Sequence, residues 1–114
     1  MLIPRSQCKI EEKPQLRGGE GTAHFVHLVD PDKVNHGRLL AEITLLPGAS
    51  IGYHQHDKET EYFMILSGTG VLNDNGTEKP IKAGDTIVTP NGESHSVKNT
   101  GTVPLAMHAV IIYD

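Results

Sequence analysis

The stretch GASIGYHQHDKETEYFMILSG, from Gly48 to Gly68, decides how the rest of this 114-residue chain is read. His54 and His56 stand two residues apart, and in an extended strand that spacing turns both imidazoles to one face, where they can converge on one ion. Glu61 shares a period-two face with Phe63 and Ile65, so a carboxylate leads an inward-facing row. Such a position is costly unless something pairs the charge. A cation held by neutral imidazoles supplies the pairing, and His95, after the Pro90-Asn91-Gly92 turn, offers a third nitrogen. Tyr53 is opposite in parity to His54 and is expected to point away from the ion in a regular strand.

Outward from this segment the chain reads as short β-type runs. They are His24 to Val29, Leu39 to Leu46, Glu61 to Ser67, Gly70 to Leu72, Thr86 to Thr89, Ser94 to Asn99 and Leu105 to Tyr113. Turn residues cut them apart, among them Pro47-Gly48, Ala83-Gly84-Asp85 and Thr100-Gly101, and Asn75-Gly76 is a strong hairpin signal. No stretch keeps a 3.6-residue apolar period for ten positions, so almost no helix is expected. The fold class is all-β, a sandwich or barrel in a single domain. Residues 1–22 form a polar lead-in packing on the barrel or on a partner subunit, and residues 23–114 form the barrel itself.

Composition narrows the function. Ten basic and fourteen acidic residues give a net charge of -4, which offers no basic stripe for phosphate backbones, so nucleic acid and membrane surfaces are not expected partners. No apolar run approaches the roughly 18–20 residues of a membrane span. The one cysteine, Cys8, cannot form an intrachain disulfide, and Met1 to Arg5 do not read as a secretory leader, so a cytoplasmic location is expected. Gly18-Gly19-Glu20-Gly21 lacks the strand, spacing and helix of a dinucleotide-binding loop. The cofactor implied is a metal.

Two patterns in the chain resemble the cupin family. The first cupin motif, glycine, five residues, His-x-His, three or four residues, Glu, six residues and glycine, is met by Gly48, His54, His56, Glu61 and Gly68. The second, glycine, five residues, Pro-x-Gly, two residues, His, three residues and Asn, is met by Gly84, Pro90, Gly92, His95 and Asn99. The resemblance implies a double-stranded β-helix with a jelly-roll core. It also implies metal ligation by His54, His56, Glu61 and His95, with the glycines, Pro90 and Asn99 serving turns and closure.

Three imidazoles and one carboxylate leave two positions open on an octahedral ion, which suits a divalent transition metal and a bidentate ligand. Manganese and iron come first, with nickel, cobalt and zinc also compatible. The single domain and the lead-in Arg17-Gly18-Gly19-Glu20-Gly21 look like the cupins labelled as related to oxalate decarboxylase. That likeness implies binding of, or action on, a small organic acid or sugar-derived ligand, in decarboxylase, dioxygenase or isomerase chemistry. The alternative is a binding or sensing cupin without turnover. Arg17 and Arg38 are either partners for a ligand carboxylate or surface arginines, and His108 is either a proton carrier in the pocket or an ordinary strand histidine. Glu59 is close enough in sequence to lie near the site without being a ligand, and it is not assigned a role. Edge strands need cover, so a homodimer is expected.

Overall fold

Leu39, Ala41, Ile43 and Leu45 are buried while the residues between them are half-exposed, and the same alternation runs through Leu105, Met107, Ala109 and Ile111. Period-two burial of this kind makes half-buried antiparallel strands. In the computed structural model, which describes residues 1–114, ten strands follow from it. They are β1 (Lys9–Pro14), β2 (Thr22–His27), β3 (Gly37–Leu45), β4 (Ser50–Gln55), β5 (Glu59–Ser67), β6 (Thr69–Asp74), β7 (Thr77–Lys82), β8 (Thr86–Thr89), β9 (Ser94–Lys98) and β10 (Leu105–Tyr113). The only helical elements are single 3₁₀ turns at Arg5–Gln7, Leu16–Gly18 and Pro31–Lys33.

The strands form two antiparallel sheets, a six-stranded one in the order β1-β2-β3-β10-β5-β8 and a four-stranded one in the order β4-β9-β6-β7. A continuous cluster of 18 buried apolar residues, with Phe63, Ile43 and Met107 among the largest, fills the space between them. Asn99 closes the barrel at one end: its Nδ2 donates to the carbonyls of Leu45 and Val103, both at 2.8 Å, and its Oδ1 accepts from the Gly101 amide at 2.9 Å. The β6–β7 hairpin turns at Asn75 and Gly76, with φ of 51° and 95°, the left-handed pair that an Asn-Gly turn supplies.

Three strands, β1, β4 and β7, have no counterpart among the apolar runs read from the sequence, and of these β4 was read only as the extended carrier of His54 and His56. Strand β7 buries only Ile81, so it carries no apolar alternation. Strand β1 inverts the usual pattern: Ile10 is 69% exposed, whereas Glu11 and Lys13 lie directly opposite Phe25 and Ala23 of β2 and share their inward face. The interior beside β1 is the mouth of a cavity rather than packed core, which is why charged residues face it. Residues 1–22 thus contain an edge strand in register with β2 and a tight turn against β4.

Candidate metal centre

The four residues singled out by spacing meet in the structure. The ligand atoms of His54, His56, Glu61 and His95 all lie within 4.8 Å of one another. That spread is close to the roughly 4–5 Å between ligands on opposite sides of one ion. His54 and His95 are register partners across β4 and β9, and Glu61 comes from β5 in the facing sheet. His56 follows the end of β4 and is fixed by the second motif, since its amide donates to Glu93 O at 3.0 Å and its carbonyl accepts from Gly92 N at 2.7 Å.

A break in strand regularity aims His54 inward. Ile51 is buried in the core, so strict alternation would send His54 to the outside, but the β4–β9 register shifts between Ile51 and His54. An inserted residue of this kind flips the parity of the positions after it. Tyr53 is 51% exposed and points away from the site.

Each imidazole is held through its other ring nitrogen. His54 Nδ1 is 2.7 Å from Gly52 O, His56 Nδ1 is 2.5 Å from Glu59 Oε2, and His95 Nδ1 is 2.7 Å from Thr89 Oγ1. Phe63 stacks on His95 with ring centroids 5.1 Å apart and planes within 5°. Arg38 in turn donates from Nε and Nη2 to the two oxygens of Glu59, both at 2.7 Å. Outer hydrogen bonds of this sort set the tautomer and ring orientation of a metal-ligating histidine.

The donor chemistry fits a cation. Gly52 O only accepts, and so does an ionised Glu59, so His54 and His56 must both present an Nδ1 proton outward and an Nε2 lone pair inward. His56 Nε2 then faces Glu61 Oε1 at 3.0 Å and His95 Nε2 at 3.1 Å, and His95 Nε2 faces the same carboxylate oxygen at 3.1 Å. Acceptors converging in a nearly dry space require a cation or a shared proton. Burial pushes His54 down to about 4, so it is neutral at pH 7. Burial also opposes charge on His56, but hydrogen bonds to Glu61 and Glu59 outweigh it and raise its pKa. Glu61 is pushed up by burial and, more strongly in sum, down by His56 and His95. The Arg38 guanidinium holds Glu59 down at about 2.

A cavity of about 80 Å³ opens onto His54, His56 and Glu61. About half of its wall is apolar, with Phe25, Ile43, Ile51 and Phe63 among the contributors, and three cations, Lys13, Arg17 and Arg38, lie along it. His108 is outside: it lies opposite Glu42 and Met64, on the outer face of the six-stranded sheet, while its neighbours Met107 and Ala109 point into the core. Glu59 and Thr89 are the contributors that spacing did not assign. Glu59 had a signal, since it shares the parity of Glu61 at the head of the same row, whereas Thr89 had none.

Two antiparallel sheets enclosing a buried histidine and carboxylate cluster at the mouth of a small cavity define a jelly-roll barrel with a group able to hold a metal. The chain belongs to the cupin family, whose cupin-domain model matches residues 41–112. It is 44% identical over 113 residues to the oxalate-binding protein of Thermotoga maritima, covering 98% of this chain and 93% of that one. A crystal structure of a predicted oxalate decarboxylase from Thermotoga maritima matches with a TM-score of 0.93 at 43% identity, over 100% of both chains. Auxin-binding protein 1 of Arabidopsis thaliana is 35% identical over 103 residues, 80% of this chain and 52% of that protein. No helix is long and apolar enough to cross a membrane.

Proposed function

We propose that this cupin binds a small dicarboxylate of the oxalate class at a divalent transition metal, manganese or iron foremost, held by His54, His56, Glu61 and His95. The observation that carries this reading is the cavity beside those ligands, only about 80 Å³, lined in nearly equal parts by apolar and polar side chains and supplied with three cations. Drug-sized sites run to roughly 300–1,000 Å³, so the occupant is a molecule of few atoms, and its charge is negative. The name of the Thermotoga relative agrees with that chemistry. When bound, the metal supplies Lewis acidity and a chelation point for a carboxylate. The chain's own residues hold and shape the rest: Gly52, Glu59 and Thr89 fix the imidazoles, the apolar side chains of the wall exclude water, and Arg17, the one lining cation without a partner, offers charge to the ligand.

Binding is favoured over turnover by the state of the other ionisable groups. Glu59 is committed to Arg38 and His56, and apart from the ligands the cavity is lined only by cations and apolar side chains. Turnover of the acid, as a decarboxylase, dioxygenase or isomerase, is the second reading, supported by a four-residue ligand set that leaves positions open on an octahedral ion. The same proposal takes the chain as cytoplasmic and, on the exposure of Ile10 on edge strand β1 and Val88 on edge strand β8, at 69% and 50%, as a homodimer.

Elemental analysis of tag-free protein purified without chelator, with His56→Ala as background control, tests the metal. Calorimetric titration of the manganese-loaded protein with oxalate tests the ligand, and assay of the same mixtures for formate and carbon dioxide separates binding from decarboxylation. One saturable site, lost after chelation and without product, is the expected result. Protein that cannot be loaded with any metal would overturn the reading.

A further inference from the structure

Arg17 lines the cavity yet has no hydrogen-bond or ion-pair partner in the folded chain, whereas the other two cations are occupied. Arg38 gives both of its contacts to Glu59, and Lys13 stands 4.6 Å above the Phe25 ring and 3.9 Å from Glu11. The backbone that carries Arg17 is unusual. Gln15 and Arg17 both have left-handed backbone, with φ of 48° and 54°, a region where residues other than glycine are held only by their surroundings.

Those surroundings are visible. A side chain on Gly52 would meet Arg17 O at 2.0 Å, and one on Gly19 would meet Ser50 O at 2.2 Å, so the turn and β4 touch backbone to backbone. Ser50 N donates to Glu20 O at 2.9 Å, Glu20 N donates to Ser50 Oγ at 2.9 Å, and Gln15 N donates to Gly21 O at 2.8 Å. Leu16 anchors the turn on the core. Gly52 is also the residue whose carbonyl orients His54. One glycine of β4 therefore registers the Arg17 turn against the ligand set.

From this juxtaposition we propose that Arg17 is the specificity-determining residue of the site: its guanidinium pairs with the carboxylate of a small dicarboxylate that points away from the metal-binding histidines. The inference rests on the proposed binding of a small dicarboxylate at the metal. A free, charged fork on a pinned turn is suited to a planar carboxylate, and the strained conformation is retained because it sets the direction of that fork. Lys13 adds charge to the same mouth without the forked geometry.

The test compares the manganese-loaded parent with Arg17→Met and Arg17→Gly in calorimetric titrations with oxalate and with glycolate, a monoanion that can still chelate. Loss of one charge-assisted pair is expected to weaken oxalate binding roughly 10- to 100-fold, while glycolate changes less than about 3-fold. Manganese affinity is expected to stay unchanged in both variants, and Arg17→Gly, which relaxes the left-handed position, is expected to melt at or above the parent temperature. Equal oxalate affinity in the parent and both variants would overturn the role of Arg17 and leave the reading of the site intact. No oxalate binding by the loaded parent would overturn that reading and this inference with it. Equal losses for oxalate and glycolate would also overturn the role in specificity.

Discussion

Replacing Glu59 by glutamine tests whether the Arg38–Glu59–His56 chain sets the metal affinity. Glu59 is 7% exposed and takes three charge-assisted contacts, two from Arg38 at 2.7 Å and one with His56 Nδ1 at 2.5 Å. Glutamine is nearly the same size, but it has no charge and only one acceptor oxygen, so Arg38 and His56 cannot both keep their bonds. If the amide NH₂ turns toward His56, the ring is pressed to expose the wrong nitrogen. If the carbonyl turns there, one Arg38 contact is lost and the imidazole is still less basic. Changes to such outer partners typically lower metal affinity 10- to 100-fold, which is about 1.4–2.8 kcal/mol. Hydrogen bonds to charged groups are worth about 1.5–3 kcal/mol each, and Arg38 is exposed enough to recover part of that from water, so metal-free stability should fall by about 2 kcal/mol. The assay is competition between protein and a chromophoric chelator for manganese and for cobalt, with urea unfolding of the metal-free forms alongside. A folded Glu59→Gln protein that holds both metals as tightly as the parent would show that the Arg38–Glu59–His56 chain does not set the affinity.

His56→Ala should reduce bound metal to background with the β-sheet circular dichroism retained. Chelation of the parent should lower its melting temperature by roughly 10 °C if free metal stands near 100 times Kd, a linkage of about 2.7 kcal/mol, and should not move the variant. Metal-free protein should lose stability on acidification in two windows, measured as urea midpoints. His54 binds its proton only near pH 4 when folded but near 6.5 when unfolded, so its contribution is present above pH 6.5 and declines toward 4. Glu59, with a folded pKa of about 2 against 4.5, contributes above pH 4.5 and loses that contribution toward pH 2, and Arg38→Met should flatten this lower window. Gly52→Ala places a methyl 2.0 Å from Arg17 O and should cost about 1–3 kcal/mol, with weaker oxalate binding, since the Arg17 turn must move; unchanged melting and affinity would show that the contact is slack.

The four candidate ligands could be read from spacing because metal donors must be of fixed type and must recur at the period of the strands that carry them. His54 and His56 were legible as a pair, Glu61 as a carboxylate heading an apolar row, and His95 from the second motif. Strands β3, β5 and β10 were legible for the same reason, since one face of each packs against core. Strand β1 was not, because its inner face borders the cavity and carries Glu11 and Lys13 where a core strand would carry valine or leucine.

Fold class and candidate donors were thus within reach of the linear chain, because both depend on local period and on residue types a few positions apart. The surroundings of the donors were not, and they come from folding alone. The register shift after Ile51 turns His54 inward, and the pairing of β3 and β5 on either side of β10 brings Arg38 to Glu59 across 21 residues of chain. Folding also sets Thr89 behind His95 and lays the Arg17 turn against Gly52. Apart from Thr89 and His95, which are six residues apart, these contacts arise from how segments distant in the chain are aligned, and alignment is fixed by the packing of the whole core rather than by any short run of residues.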